Sequence, residues 1–341
     1  MAKDVTLADI AAKIGVSTVA VSKALTGKPG VSDELRIRIK QAAERMGYIS
    51  SASGKASVTA TGNIGVIIPE NYYGYSISFY GQLYEKVVRA LYENQYYGIL
   101  ELLSKEDEMD GTIPKVLRDG KVDGLIFLGQ MDEDYISKIV SRSELPVFFL
   151  DTYQPSVVVD TVVSDGYYGT FMLTDYLIRR GHRKIAFVGN IDATDSIADR
   201  FWGYRKALQS HRIEFDSRWE ISDRSQYGKI DGQILYESCG LDAYVCNCDY
   251  AAHVVIQDLE KMGYSVPEDV SVVGFDDFLP IDLGMGTDRI TSYSVDMERM
   301  AQICVKSMIK KIRHQKYAEG IQIVTGKIVE KQTVKDRTES K

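Results

Sequence analysis

Cysteine, proline, histidine and tryptophan are all scarce in this 341-residue chain, which holds 4, 7, 4 and 2 of them respectively. The four cysteines, Cys239, Cys246, Cys248 and Cys304, do not make a disulfide framework in a chain this long and fit reduced thiols. Cys246 and Cys248 would share one face of a strand, but no neighbouring histidine or cysteine completes a ligand set, so no metal is expected. The histidines form no recognisable array. Walker A, Gly-x-Gly-x-x-Gly, Gly-x-Ser-x-Gly and His-Glu-x-x-His motifs are all missing, which leaves no basis for expecting an enzyme or a cofactor. No apolar run reaches the roughly 18 residues of a membrane span, and none follows a basic start as in a secretory leader. A cytoplasmic protein is expected.

Excess positive charge is lacking too, since the net charge is −7. Its distribution is uneven. Residues 1–60 carry nine Lys/Arg against five Asp/Glu, which leaves −11 for the rest, a basic head on an acidic body. That pattern suits a protein in which only the head meets phosphate.

In the head, Thr6 followed by Asp9 reads as a capping box, and Leu7, Ile10, Ala11 and Ile14 recur at helical spacing. Gly15 ends that helix, because glycine enters the left-handed region without steric cost. Ser17 is placed to cap a second helix whose Val21 and Leu25 point inward, leaving Thr18, Val19, Ser22 and Lys23 on the open face. Small Ala11 at the crossing suits two helices meeting at a steep angle, although two ordinary helices of a bundle have the same spacing. Ser32 then opens a third helix with Arg36, Arg38, Lys40 and Arg45, ending at Gly47-Tyr48.

Taken together, Thr6-Leu7-Ala8-Asp9-Ile10-Ala11, Gly15-Val16-Ser17, Val21-Ser22-Lys23-Ala24-Leu25, Val31-Ser32 and Met46-Gly47-Tyr48 resemble the DNA-binding head of the lactose-repressor (LacI/GalR) family of bacterial transcription regulators. The resemblance implies DNA contacts from Thr6, Ser17, Thr18, Val19, Ser22, Lys23, Arg36 and Lys55. Thr18 and Val19 would pack methyl groups on thymine, Lys23 would reach guanine, and Arg36 would position the head on phosphates. Residues 50–62 are small and polar and read as a linker. In the family this segment becomes a hinge helix whose leucine wedges into the minor groove. Here Ala56 or Ser57 holds the leucine position, so a less strongly bent operator is expected.

Beyond Gly62, apolar strands alternate with amphipathic helices: strands at 64–69, 98–103, 124–128, 146–151, 184–188, 243–246 and 271–275, and helices at 79–93, 166–180, 199–210 and 251–262. Two such β-α runs imply two parallel-sheet lobes with a cleft at the carboxyl ends of their strands. This body resembles the family's effector domain and the periplasmic sugar-binding proteins. The expected fold is α/β: an N-terminal all-α helix-turn-helix head (1–49), a hinge (50–62) and a two-lobed periplasmic-binding-protein-like effector domain (63–341). Lobe 1 is expected at about 63–161 and 291–321, and lobe 2 at about 162–290 and 322–333.

The resemblance further implies a ligand set of Phe79, Tyr80, Asp165, Arg200, Trp219, Asp249 and Asp276 in that cleft. Phe79-Tyr80 would supply a stacking ring, Arg200 bidentate contacts, and Gly274-Phe275-Asp276-Asp277 a nearly unchanged family run, whereas Cys248 replaces an asparagine. Tyrosines at 72, 73, 75, 153, 167, 168 and 250 cluster near the same loops. Gly181-His182 fits a helix cap followed by a structural imidazole. The implied function is a ligand-responsive repressor that binds operator DNA as a homodimer and is controlled by a small molecule, a sugar or sugar derivative. A dimer rather than a tetramer follows from a tail after Gln332 that lacks leucine heptads. Two other readings stay open: a sugar-binding or scaffold protein with a vestigial head, and a regulator gated by a partner protein.

Overall fold

The computed structural model describes residues 6–25, 30–45, 60–73, 78–154, 156–225, 230–235, 240–279 and 289–338. The chain divides into two compact units, residues 1–59 and 60–341. Among the described residues no helix is long and apolar enough to cross a membrane.

The described residues of the first unit form three helices, α1 (Leu7–Ile14), α2 (Thr18–Leu25) and α3 (Asp33–Arg45). Its core is Ile10, Ala11, Val21, Ala24, Ile39 and Ala43, the inward positions of the helical repeat. Thr6 and Asp9 form the capping box, with the Asp9 carboxylate accepting from the Thr6 amide at 2.8 Å. Gly15 ends α1 at φ 75°.

The second unit is built on two six-stranded sheets. The first contains β1 (Asn63–Pro69), β2 (Tyr97–Leu103), β3 (Gly124–Leu128), β4 (Val147–Leu150) and β5 (Asp160–Ser164). Helices α4 (Glu70–Tyr73), α5 (Phe79–Glu93), α6 (Lys105–Asp110), α7 (Lys115–Arg118) and α8 (Glu133–Arg142) connect them. The chain then passes through α9 (Gly166–Arg179) into the second sheet, with β6 (Ile185–Val188), α10 (Asp195–Ser210), β7 (Glu220–Ile221), β8 (Ala243–Cys246), α11 (Asp249–Lys261), β9 (Ser271–Asp276) and β10 (Thr291–Ser294). Helix α12 (Met297–Ile312) returns to the first sheet at β11 (Ile321–Val324), and β12 (Lys327–Val329) closes the second. The strand orders are β11-β5-β4-β3-β1-β2 and β12-β10-β9-β8-β6-β7. Among the described residues every pairing between these strands is parallel except β10 with β12.

Strands β1, β3, β4, β6, β8 and β9 are buried on both faces, so they read as continuous apolar runs in the sequence. The three crossings between sheets follow Ser164, Ser294 and Val324, a few residues beyond the expected 161, 290 and 321. Segments 162–164 and 322–324 therefore pair in the first sheet, and 291–294 in the second. Serines and threonines in Asp160–Ser164 and Thr291–Ser294 hide these strands from a hydrophobic pattern. Helix α10 begins at Asp195, one turn before the expected Asp199, because the Thr194 hydroxyl caps it by accepting from the Ile197 amide at 3.3 Å.

Candidate functional site

In the head, Ser17 accepts from the Ala20 amide at 3.1 Å and so starts α2, whose outer face presents Thr18, Val19 and Lys23 to solvent. Val19 is 62% exposed, so most of its surface is left uncovered by the head itself. Ser22 is half-buried on the same helix. Arg36, expected to contact phosphate, has a task inside the head as well. Its guanidinium donates to the carbonyl oxygens of Lys23 and Ala24, both at 3.3 Å, and so satisfies acceptors that the end of α2 leaves open. Arg36→Ala is expected to loosen the last turn of α2 by about 1 kcal/mol, read as faster amide exchange there. Unchanged exchange would return Arg36 to a surface role. Lys55, and the hinge positions Ala56 and Ser57, lie outside the described residues.

In the second unit the polar residues of interest are the first ones after strands. Asp151-Thr152-Tyr153 follow β4, Asp223-Arg224 follow β7, Asn247 follows β8, and Asp276 ends β9. Asp151, Asp276 and Asp277 have φ of 58°, 96° and 55°, a region that L residues other than Asn and Asp seldom enter. Such turns aim the carboxylates out of the sheet ends instead of continuing the ladder.

Arg200, on α10, is 6% exposed and lies at the centre of this group. One guanidinium nitrogen donates to the Asn247 carbonyl at 2.5 Å and another to Asp276 Oδ1 at 3.2 Å, while the group lies over the Phe275 ring at 4.0 Å. Its Nε is buried without a partner among the described residues. The Asp151 carboxylate accepts from Ser164 Oγ at 3.1 Å and from the Tyr80 hydroxyl. Burial pushes Asp151 up to about 6 against the pull of Arg200, and the Asp276 charge adds to the rise. Burial also raises Asp276, opposed by Arg200.

Tyr80 packs beside Tyr72 with ring centroids 5.1 Å apart and edge-on to Phe79 at 5.3 Å, so α4 and α5 give the cleft an aromatic wall. Two hydrogen bonds cross from the first sheet's loops to α10. Gln130 Oε1 accepts from the Asp195 amide at 2.9 Å, and the Tyr153 hydroxyl donates to Asp199 at 3.3 Å. Between them lies a cavity of about 20 Å³, lined among others by Tyr80, Gln130, Asp151, Thr152, Tyr153, Ser164, Thr194, Asp195, Ser196 and Asp199. That volume holds about one water, so a larger ligand requires the lobes to part. A second opening of about 520 Å³ lies between Gln82 and Lys86 of α5 and the segment Ser294–Glu298, with Asp276 on its rim.

Of the seven ligand positions named from sequence, Tyr80, Arg200 and Asp276 meet in this cleft, and Phe79 backs the aromatic wall. Asp165 is the N-cap of α9, accepting from the Tyr168 amide at 3.0 Å. Asp249 is 3% exposed, and both its oxygens are occupied, by the Ser292 hydroxyl and the Phe278 amide, each at 2.7 Å. It holds the loop after β9 in place and does not line the cavity. Trp219 ends a single 3-10 turn and packs against the hydrophobic clusters. Four and five residues further on, Asp223 and Arg224 pair at 2.7 Å, with Asp223 also accepting from Asn247 Nδ2 at 2.7 Å. Asp151, Thr152, Asp195, Asp199, Asp223 and Arg224 were missed in the sequence. The signal for Asp151 was available, a carboxylate directly after an apolar strand, but the two-residue β7 gave none for Asp223-Arg224. Tyr75 lies outside the described residues, and Tyr167 and Tyr168 are 42% and 50% exposed. His182 is fully buried between the Leu177 carbonyl at 2.9 Å and Ser271 Oγ at 2.8 Å, a structural imidazole.

The position of Asp151 has a thermodynamic signature. A carboxyl raised in the folded state binds its proton more tightly there, so it lowers stability as pH climbs from about 4 to 6 and stays costly above. Asp151→Asn, which tolerates the same left-handed φ, is expected to gain about 1–3 kcal/mol at pH 7 and almost nothing near pH 4. Urea midpoints at the two pH values check this.

Comparison with known proteins agrees with this architecture. Residues 6–51 match the family described as bacterial regulatory proteins, lacI family, and residues 174–334 a periplasmic binding protein-like domain. The chain is 27% identical over 335 residues to the HTH-type transcriptional regulator RegA of Clostridium saccharobutylicum, covering 95% of this chain and 98% of that one. It is 25% identical over 338 residues to the HTH-type transcriptional repressor PurR of Pectobacterium carotovorum, covering 97% of each. Two solved structures share the fold: a transcriptional regulator CelR–cellobiose complex, with TM-score 0.69 and 23% identity over 96% of this chain and 99% of that one, and a lac repressor dimer bound to operator and the anti-inducer ONPF, with TM-score 0.67 and 21% identity over 97% and 99%. With a three-helix head that matches the lacI family of bacterial regulatory proteins, paired parallel sheets that match a periplasmic binding protein-like domain, and full-length similarity to RegA and PurR, the chain has the make-up of a DNA-binding transcription regulator of the lacI type.

Proposed function

We propose that this regulator is a homodimeric repressor whose hold on operator DNA is set by a small polyhydroxylated molecule, a sugar or sugar derivative, bound between its two lobes. The observation that carries the reading is the convergence of Tyr80 of α5 and Asp151 after β4, on the first sheet's side, with Arg200 of α10 and Asp276 of β9, on the second's. A ligand that touches groups of both lobes binds one arrangement of the lobes better than another, and only such a difference can shift the equilibrium between them. Aromatic rings beside a few fixed polar groups are the usual makeup of a site for such a molecule. The cellobiose and operator named for the structural neighbours are of the same two classes.

Dimerisation would let two heads read two half-sites, since one three-helix head makes few base contacts. Exposed Tyr92 (73%) and Tyr97 (67%), on α5 and the edge strand β2, supply apolar surface for such an interface. On α2, Thr18, Val19 and Lys23 would face the base edges, and Lys23 would carry a guanine contact. The test is selection of bound sequences from random DNA, repeated with Lys23→Ala, followed by gel shifts with a panel of sugars. A palindromic motif whose retention changes with one sugar supports the proposal. A motif without symmetry, or a motif unchanged by Lys23→Ala, counts against the dimer or against α2 as the reading helix.

A further inference from the structure

Resting on that reading of the cleft, we propose that its ligand carries a positive charge: an amino sugar or a similar amine-bearing polyol, not a neutral sugar or a sugar phosphate. The ground is the charge balance around the cavity. Both cations of the cleft are already committed, Arg200 to Asp276 at 3.2 Å and Arg224 to Asp223 at 2.7 Å. Three further carboxylates line the cavity, and none of them has an ion-pair partner among the described residues: Asp151, Asp195 and Asp199. The donors that do reach them are neutral, Ser164 and Tyr80 for Asp151 and Tyr153 for Asp199.

An independent feature points to a ligand at the same spot. Thr152 lines the cavity at 7% exposure, and its hydroxyl oxygen is buried without a hydrogen-bond partner among the described residues. A buried hydroxyl left unpaired is unfavourable and is satisfied when a polar group enters. Burial raises Asp151, Asp195 and Asp199 alike, and Arg200, the cation that pulls Asp151 and Asp199 down, is already shared with Asp276. A phosphate would add two more negative charges to this cluster, and neutral hydroxyls would leave its repulsion uncompensated. An ammonium group removes it, in a cavity that Tyr80 and Tyr153 also line.

The experiment is calorimetry of the full chain at pH 7 with glucosamine, glucose and glucose 6-phosphate, and with the matched galactose and mannose sets. In at least one set the amine is expected to bind at least about ten-fold tighter than its hydroxyl counterpart, with no binding of the phosphate up to about 10 mM. Asp199→Asn and Asp195→Asn, checked for folding by circular dichroism, should each cut the preference for the amine several-fold. A neutral or phosphorylated member binding as tightly as the amine overturns the inference. So does an amine preference that survives both substitutions, or no amine binding at all. The underlying reading fails differently: tight binding of any member that is indifferent to Tyr80→Ala places the site elsewhere.

Discussion

Arg200→Ala is expected to abolish effector binding and to lower stability by about 2–5 kcal/mol at pH 7. The side chain is buried, and its removal strips Asp276 of its cation, the Asn247 carbonyl of its donor and Phe275 of the group stacked on it. Most of the loss comes from leaving Asp276 buried and charged, since removing one partner of a buried pair exposes the full desolvation penalty of the other. That origin gives a pH signature. Asp276 is already raised by burial and only partly held down by Arg200, so without Arg200 it will take up a proton at higher pH. The deficit should therefore narrow as pH falls toward about 4, where a protonated Asp276 no longer needs the cation. Urea denaturation of wild type and variant at pH 7 and pH 4 decides the matter. An equal deficit at both would mean that Arg200 acts through packing on Phe275 rather than through charge.

Gly203→Ala should be as damaging, although it changes no polar group. Gly203 lies where α10 crosses α9, and a Cβ there would run into the backbone carbonyl of Tyr167, with the Phe171 amide nitrogen at 3.1 Å. Those neighbours are main-chain atoms of a helix, so relief requires the helices themselves to separate. Overpacking of this kind typically costs about 1–3 kcal/mol where side chains can yield, and we expect at least about 3 kcal/mol here. Arg200 lies one turn before Gly203 on α10, and its stem passes Gly166 at the start of α9, at 3.4 Å from a Cβ built there. Moving α10 away would carry the guanidinium off Asp276. Gly203→Ala should thus lower the thermal midpoint and weaken effector binding together. A variant with a wild-type midpoint would show that the crossing is looser than the geometry implies.

The head and the alternation of strands and helices were legible in the sequence because their signals are local. Thr6, Asp9, Gly15 and Ser17 act within four residues of themselves, and the structure uses them as caps and as a left-handed stop. The run Phe79–Glu93 carries its helical period openly, and Gly124–Leu128 is an unbroken apolar strand, so their bounds were read without error. Tertiary structure decided what pattern cannot carry. Arg36 is a basic residue on a surface-like stretch, and only the fold brings its guanidinium to the end of α2. Asp249 and Asp276 look alike in the sequence, each an aspartate at the end of an apolar strand. Three-dimensional pairing separates them, because Ser292 and the Phe278 amide consume one while Arg200 leaves the other at the cleft. The crossings between sheets and the charge balance of the cleft likewise depend on partners up to more than a hundred residues away. Local periodicity and capping are properties of neighbours in the chain, whereas burial and ion pairing are properties of neighbours in space, and for this protein the first determined the fold and the second the candidate site.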